Sequence, residues 1–165
     1  MKRLFILFAA IIFAASCFAQ TERSFDIEGV KRTAVIYEGN AKSEKSPVVF
    51  VFHGHGGNVR NAQRRLNFHS AWKEALVVYM QGIPGVVGIT DAAGTKNGWQ
   101  MNPNDLENRD VKFFDEVLQQ LKKDYKVDDN RVYAVGHSNG SRFVHVLWTM
   151  RGEKFAAFCG VAGPG

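Results

Sequence analysis

Three short apolar runs constrain the fold of this chain more than any other feature. They cover residues 48–52, 75–79 and 131–135 and are rich in β-branched side chains, which is typical of strands buried on both faces of a parallel sheet. A helix with one apolar face is predicted over residues 110–126, and further helical spacing follows over residues 141–150. This alternation predicts an α/β fold with a mostly parallel sheet.

The rest of the chain completes a single predicted domain. Residues 24–37 alternate apolar and polar side chains and predict an N-terminal hairpin, residues 68–74 show helical spacing, and residues 155–161 predict a last strand. Residues 81–108 are rich in Gly, Asn and Pro and predict a long excursion over the surface. With 165 residues, 45% of them hydrophobic, the chain is long enough to bury a core and is unlike disordered or collagenous sequences.

The sequence Gly136-His137-Ser138-Asn139-Gly140 follows the third run and precedes a predicted helix. It matches the G-x-S-x-G pattern of a nucleophile elbow, in which a sharp turn between strand and helix exposes the serine hydroxyl. Glycine at both flanks lets neighbouring backbone pass close to the turn. Because strand and helix stand where the motif requires them, Ser138 is predicted to be a nucleophile rather than part of a structural Gly-Ser turn.

A serine nucleophile that attacks a carbonyl needs hydrogen-bond donors for the oxyanion that forms. The backbone N–H of Asn139 is one candidate, since it follows the serine and opens a helix whose N-terminus favours negative charge. A second candidate lies in the loop of residues 53–57, His-Gly-His-Gly-Gly, directly after the first run. We expect the N–H of His55 to be this donor, with that of Gly56 as the alternative.

The two histidines of that loop could also be metal ligands. Their spacing on a glycine-rich loop, without a nearby Cys or Asp in the sequence, argues against a metal site. Nothing in the sequence indicates a nucleotide or redox cofactor either.

Five segments carry a family resemblance: residues 47–58, 77–82, 98–100, 110–114 and 131–140. In this order they resemble the polyhydroxybutyrate depolymerase and feruloyl-esterase-like group of secreted α/β-hydrolases, and the likeness spans nearly all of residues 47–162. The resemblance implies an α/β-hydrolase fold and a serine carboxylesterase, with Ser138 as its nucleophile. The implied substrates are polyesters or the esters of plant polysaccharides.

One departure from that family is large. The catalytic order in α/β-hydrolases is Ser, then Asp or Glu, then His, but Glu153 is the only carboxylate after Ser138. His145 lies two helical turns beyond the serine, about 10 Å along the axis, and His53, His55, His69 and His137 do not match a position of the family's base. We therefore expect the C-terminal strands, the acid and the base to lie beyond Gly165. The alternative is a remnant or binding module without catalysis.

The first 19 residues predict an export signal. Lys2 and Arg3 precede an apolar run, and cleavage after Ala19 fits the small-x-Ala rule. The run is too short for a membrane span, and residues 20–165 form the predicted domain, secreted or periplasmic. A second possibility is that Cys17 accepts the lipid anchor of a bacterial lipoprotein.

Removal of the signal lowers the net charge from +5 to +3. The remaining basic residues are interspersed with acids, so no nucleic-acid partner is indicated. Cys159 would be the only cysteine left, and it is predicted to be a small buried side chain.

Two further side chains have open assignments. Trp99 either lines a substrate groove or anchors its loop through local packing. Asp110 could be catalytic, but its place in a first helical turn favours a partner of the helix dipole.

Overall fold

A computed structural model describes residues 20–41, 44–87 and 91–163 of the chain. The strands in chain order are β1 Gln20–Ile27, β2 Val30–Tyr37, β3 Ser46–Phe52, β4 Leu76–Met80, β5 Ile83–Pro84, β6 Asn97–Gly98, β7 Val127–His137 and β8 Ala157–Val161. The α-helices are α1 Val59–Arg65, α2 Phe68–Ala71, α3 Arg109–Asp124 and α4 Asn139–Arg151. The predicted signal peptide and Cys17 lie outside the described residues.

Six strands form the main sheet in the order β1-β2-β4-β3-β7-β8. The pairs of β3 with β4, of β3 with β7 and of β7 with β8 are parallel, whereas β2 pairs antiparallel with both β1 and β4. At the centre, Phe50 stands opposite Val78 on one side and Ala134 on the other. The predicted α/β class, the mostly parallel sheet and the N-terminal hairpin are confirmed.

The two faces of the sheet explain why the central runs are continuously apolar. Successive side chains of a strand point to opposite faces, so Phe50 and Phe52 join one core cluster while Val49 and Val51 join another. Helices α3 and α4 pack on the first face, and α1 covers part of the second. A run without polar positions is therefore what a strand between two cores requires.

The prediction that residues 81–108 only cross the surface is wrong. Strands β5 and β6 pair within this segment, and Trp99 and Gln100 have no exposed surface at all. Trp99 packs edge-on against Phe52 and stacks on Phe143 of α4. Of the two assignments for Trp99, the structure supports the anchor.

The helices differ from the predictions in one respect. Helix α3 is confirmed, and α4 begins two residues earlier than predicted. The helical spacing at residues 68–74 gives only the single turn α2, while α1 forms from the polar sequence that precedes it. The side chain of Asn58 caps α1 by accepting from the N–H of Asn61 at 2.9 Å, a local signal that apolar spacing does not carry.

Asp110 is not a simple dipole partner. Its carboxylate and the guanidinium of Arg32 are both fully buried and 2.8 Å apart, and its second oxygen accepts the N–H of Gln100 at 2.8 Å. Arg32 also lies over the ring of Phe113, 4.4 Å from its centroid. The pair joins β2 and α3 to the segment that carries Trp99.

Strand β8 is the last strand of the sheet, and its exposure corrects the prediction for Cys159. Within the described residues β8 pairs only with β7. Cys159 is exposed rather than buried, because no element among the described residues packs over its side of this strand. Nearby, Trp148 is 59% exposed and stacks on Phe158.

None of the described helices has the length and apolar character that crossing a bilayer requires.

Candidate active site

Ser138 occupies a strained turn between β7 and α4. Its backbone has φ 54° and ψ −115°, a conformation that costs a non-glycine residue about 1–3 kcal/mol and clusters at functional sites. A Cβ on Gly136 would overlap the backbone of Gly140, and a Cβ on Gly140 would lie 2.7 Å from the carbonyl oxygen of His53. Both flanking glycines are therefore required by close backbone packing, as the elbow motif predicts.

The elbow is held from two directions. The N–H of Ser138 donates to the carbonyl of Val161, the last residue of β8, at 2.8 Å. Its own carbonyl accepts from the N–H of Arg142 in α4 at 3.1 Å. The turn is thus tied to the edge strand as well as to its own helix.

The loop after β3 lies directly beside the elbow. A Cβ on Gly54 would be 3.4 Å from Cβ of Ser138 and 3.0 Å from Nδ1 of His137. The N–H of Gly56 donates to the carbonyl of Asn97 at 2.7 Å, so a ligand would have to compete with this carbonyl for it. Among the described residues, no backbone group accepts from the N–H of His55, which leaves that donor free.

Asn139 links the elbow to the segment of Trp99 through its side chain. Its Oδ1 accepts from the N–H of Trp99 at 2.8 Å, while its Nδ2 donates to the carbonyls of Val87 and Trp99, each at 3.0 Å. Its backbone N–H is in the first turn of α4, where it has no intrahelical acceptor. The side chain is therefore structural, and the N–H is available to a ligand.

The side chain of His53 is buried and neutral, and hydrogen bonds at both ring nitrogens hold it in place. Its Nδ1 is 2.8 Å from the carbonyl of Gly54, and its Nε2 accepts from the N–H of Gly82 at 2.9 Å. A carbonyl can only accept and an N–H can only donate, so Nδ1 carries the proton. Burial lowers the pKa of His53 in spite of the Gly54 carbonyl, which acts in the opposite direction. The carbonyl of His53 accepts from the indole N–H of Trp99 at 2.8 Å.

His55 has a partner that the sequence did not indicate. Its Nε2 is 3.5 Å from a carboxylate oxygen of Asp91, a position 36 residues away within the supposed surface excursion. The N–H groups of Lys96 and Thr95 donate to the same carboxylate at 2.8 and 3.2 Å. These bonds hold the pKa of Asp91 below its usual value, and the bond from the Lys96 amide has the largest effect.

An Asp that the local sequence does not show lies near one of the two loop histidines, because Asp91 contacts His55. However, both ring nitrogens of His53 already have protein partners, so the two histidines cannot act together as ligands without breaking those bonds. The described residues contain no group of three or more side chains that could hold a metal ion.

Of the other histidines, His69 and His145 have hydrogen-bond partners of their own, and only His137 borders the cavity of Ser138. His145 donates from Nδ1 to the carbonyl of Ser141 at 2.9 Å, and His69 bonds to the hydroxyl of Tyr79 at 2.8 Å. His137 borders the same cavity as Ser138. Within the described ranges, no side chain makes a hydrogen bond to the Ser138 hydroxyl.

A cavity of about 250 Å³ lies over the serine. It is lined by the loop of residues 53–57, by His137 and Ser138, and by the end of α1. The structure therefore brings Ser138 and His55 to one cavity, with Asn139 next to the serine.

The known sequences to which this chain is similar include esterases. The chain is 27% identical over 139 residues to a bifunctional acetylxylan esterase/xylanase of Neocallimastix patriciarum, covering 83% of this chain and 19% of that protein. It is 28% identical over 130 residues to a protein of Nocardia uniformis subsp. tsuyamanensis described as an esterase, NocK, covering 74% and 34% respectively. The chain thus spans only 19% and 34% of the lengths of these two relatives. No family model matches it.

Solved structures share the fold. The crystal structure of a protein called pOPH superposes with a TM-score of 0.69 at 19% identity, over 91% of this chain and 54% of that one. A ferulic acid esterase gives 0.62 at 16% identity, over 89% and 60%. An S-formylglutathione hydrolase of Agrobacterium tumefaciens gives 0.64 at 18% identity, over 87% and 57%. The chain has the predicted α/β-hydrolase fold and resembles the predicted group of esterases.

Proposed function

We propose that this chain carries the nucleophile and the oxyanion hole of a secreted serine carboxylesterase. The observation that carries the proposal is the backbone of Ser138, which adopts φ 54° between β7 and α4 and faces the cavity. Strain of this kind persists only where the surroundings enforce it, and here the packing of the two flanking glycines does so.

In the proposed reaction the Ser138 hydroxyl attacks an ester carbonyl. The oxyanion of the tetrahedral intermediate accepts hydrogen bonds from the N–H groups of His55 and Asn139, and such donors each contribute about 100- to 1000-fold in rate. Loss of the alcohol leaves an acyl group on Ser138, which water then removes. The proposed substrates are hydroxyalkanoate polyesters or the feruloyl or acetyl esters of polysaccharides, and no metal or cofactor takes part.

The base is the missing part of this site. A serine hydroxyl is a weak nucleophile until a neighbouring base accepts its proton, and none of the described side chains is bonded to it. In our proposal the catalytic histidine and its acid come from residues other than those described. Export through residues 1–19, or lipid attachment at Cys17, is part of the same proposal.

The unpartnered hydroxyl also supports a second candidate, a binding module that retains half of a hydrolase fold. Such a module would bind an ester in the cavity without cleaving it. The two candidates agree on the cavity and differ only in turnover.

The test is the release of p-nitrophenol from a short acyl ester by the chain, by Ser138→Ala and by Ser24→Ala. Ser24 is exposed on β1, so its variant is a matched serine control. We expect only slow release, no more than about 1000-fold over the uncatalysed rate and similar in all three proteins, since without a base the oxyanion hole and binding still supply about that much and do not need the serine.

Release by the parent chain no faster than the uncatalysed rate would reject the oxyanion hole, and with it the esterase proposal, in favour of the binding module. Turnover at ordinary esterase rates that requires Ser138 would show that the described residues already contain a base.

A further inference from the structure

A second cavity shares two of its lining residues with the cavity over Ser138. This neighbour, of about 520 Å³, is an open hollow beside α2. Arg65 and Leu66, at the end of α1, line both cavities. We call the two cavities together the Arg65 groove; Ser138 lines the first, and Phe68 and Ala71 line the second. Arg65 lines both, so it borders the cavity of Ser138 itself.

The formal charge on the side chains that line this groove is positive. Arg65 is the only Lys, Arg, Asp or Glu among the described residues that line either cavity. Helix α1 adds Arg60 and Arg64 and contains no acid, so the rim of the groove is basic. A cleft lined by a single charge sign concentrates ligands of the opposite sign.

Arg65 is available to a ligand. No described side chain or carbonyl forms a hydrogen bond or ion pair with it. Asp91, the acid beside the loop of residues 53–57, is already bound by the N–H groups of Lys96 and Thr95 and faces His55, and it lines neither cavity. The other arginines near the core have assigned roles, as Arg32 does with Asp110.

The walls beyond Arg65 are partly apolar. Leu66, Phe68 and Ala71 present aliphatic and aromatic surface, whereas Asn67 and Ser70 can form only neutral hydrogen bonds. A ligand that combines a short alkyl chain with an anionic group would match both parts of the groove. Guanidinium binds carboxylate through two parallel hydrogen bonds, which fixes the direction of the ligand as well as its charge.

We propose that Arg65 determines specificity by selecting esters that carry a carboxylate a few carbon atoms from the ester carbonyl. This proposal rests on the proposed function, because it takes the ester to lie at Ser138. Neutral esters of the same length enter the same groove but lack the ionic contact. The preferred substrates are thus half-esters of dicarboxylic acids or the carboxylate-terminated ends of short polyesters.

Binding, rather than turnover, gives the decisive test. Monomethyl glutarate, which is an anion at neutral pH, and dimethyl glutarate, which is not, are titrated separately into the ¹⁵N-labelled chain while the amide signals of residues 54–57 are followed. We expect the half-ester to bind about fivefold more tightly, as a largely exposed ion pair allows. Since no catalysis is needed, failure of Ser138 to react would not affect this result.

Two variants separate contact from general charge. Arg65→Gln and Arg64→Gln remove the same charge from neighbouring exposed positions of α1, but only Arg65 lines the groove. We expect Arg65→Gln to bind the two esters equally, Arg64→Gln to keep most of the preference, and Arg65→Lys to keep part of it. Circular dichroism confirms that each variant is folded.

Three results would overturn the proposal. One is equal affinity of the parent chain for the two esters, and another is an equal loss of preference in Arg64→Gln and Arg65→Gln. The third is that neither ester shifts the signals of residues 54–57.

Discussion

Replacement of Asp110 by Asn distinguishes two explanations of how Asp110 stabilises the fold. A partner of the helix dipole contributes about 0.3–1 kcal/mol. Removal of one member of a buried ion pair costs about 3–5 kcal/mol, because the other charge stays buried without compensation. Arg32 and Asp110 have side-chain exposures of 1% and 0% and are 2.8 Å apart, so we expect the larger value.

Urea unfolding followed by circular dichroism measures this loss. With a denaturant slope of about 2 kcal/mol per M, the midpoint should fall by roughly 1.5–2.5 M without a change in slope. The matched control is Asp115→Asn. Asp115 forms ion pairs with Arg151 and Lys154 at 27% side-chain exposure, and its loss should cost less than about 1 kcal/mol.

A double variant tests whether the uncompensated charge of Arg32 causes the loss of stability in Asp110→Asn. Arg32→Met combined with Asp110→Leu removes both charges, so it should be more stable than Asp110→Asn alone. A loss of 1 kcal/mol or less in Asp110→Asn would refute the buried-pair explanation and restore that of the helix dipole.

Three further predictions follow from other contacts. Asn139→Ala removes three hydrogen bonds to Val87 and Trp99 and should lower the free energy of unfolding by about 3 kcal/mol; an unchanged urea midpoint would contradict this. Cys159 is exposed, so a thiol reagent should modify it in the folded chain as fast as in urea, and strong protection would contradict the position of β8. Burial acts to raise the pKa of Asp115, but hydrogen bonds from Arg151 and Lys154 lower it overall. Its contribution should therefore be present above about pH 4, its unfolded range, and be lost at lower pH, which is measured as the converging midpoints of the parent chain and Asp115→Asn.

The elements that the sequence predicts are those whose burial leaves a pattern. Strands β3 and β4 lie between two cores, so their continuous apolar runs reveal them, and α3 shows one apolar face. The elbow around Ser138 is also predictable, because Gly136 and Gly140 are required by backbone packing at fixed distances from the serine.

Other features depend on contacts between distant segments and leave no local pattern. Asp91 meets His55 only because the segment of residues 81–108 folds back over the loop after β3, and the same folding buries Trp99. Cys159 has an apolar neighbourhood in sequence, yet it is exposed because β8 is at the edge of the sheet. An apolar run predicts a strand that is able to be buried. Whether other elements cover that strand depends on its position in the sheet.

The bond from the Ser138 N–H to the carbonyl of Val161 has a dynamic consequence. Edge strands open more readily than central ones, since fewer contacts hold them, and β8 is the last strand of the described sheet. Each opening of β8 would break one of the two hydrogen bonds that hold the turn at Ser138, so the stability of this strand contributes to the lifetime of that conformation. Hydrogen exchange of the Ser138 amide reports on both at once.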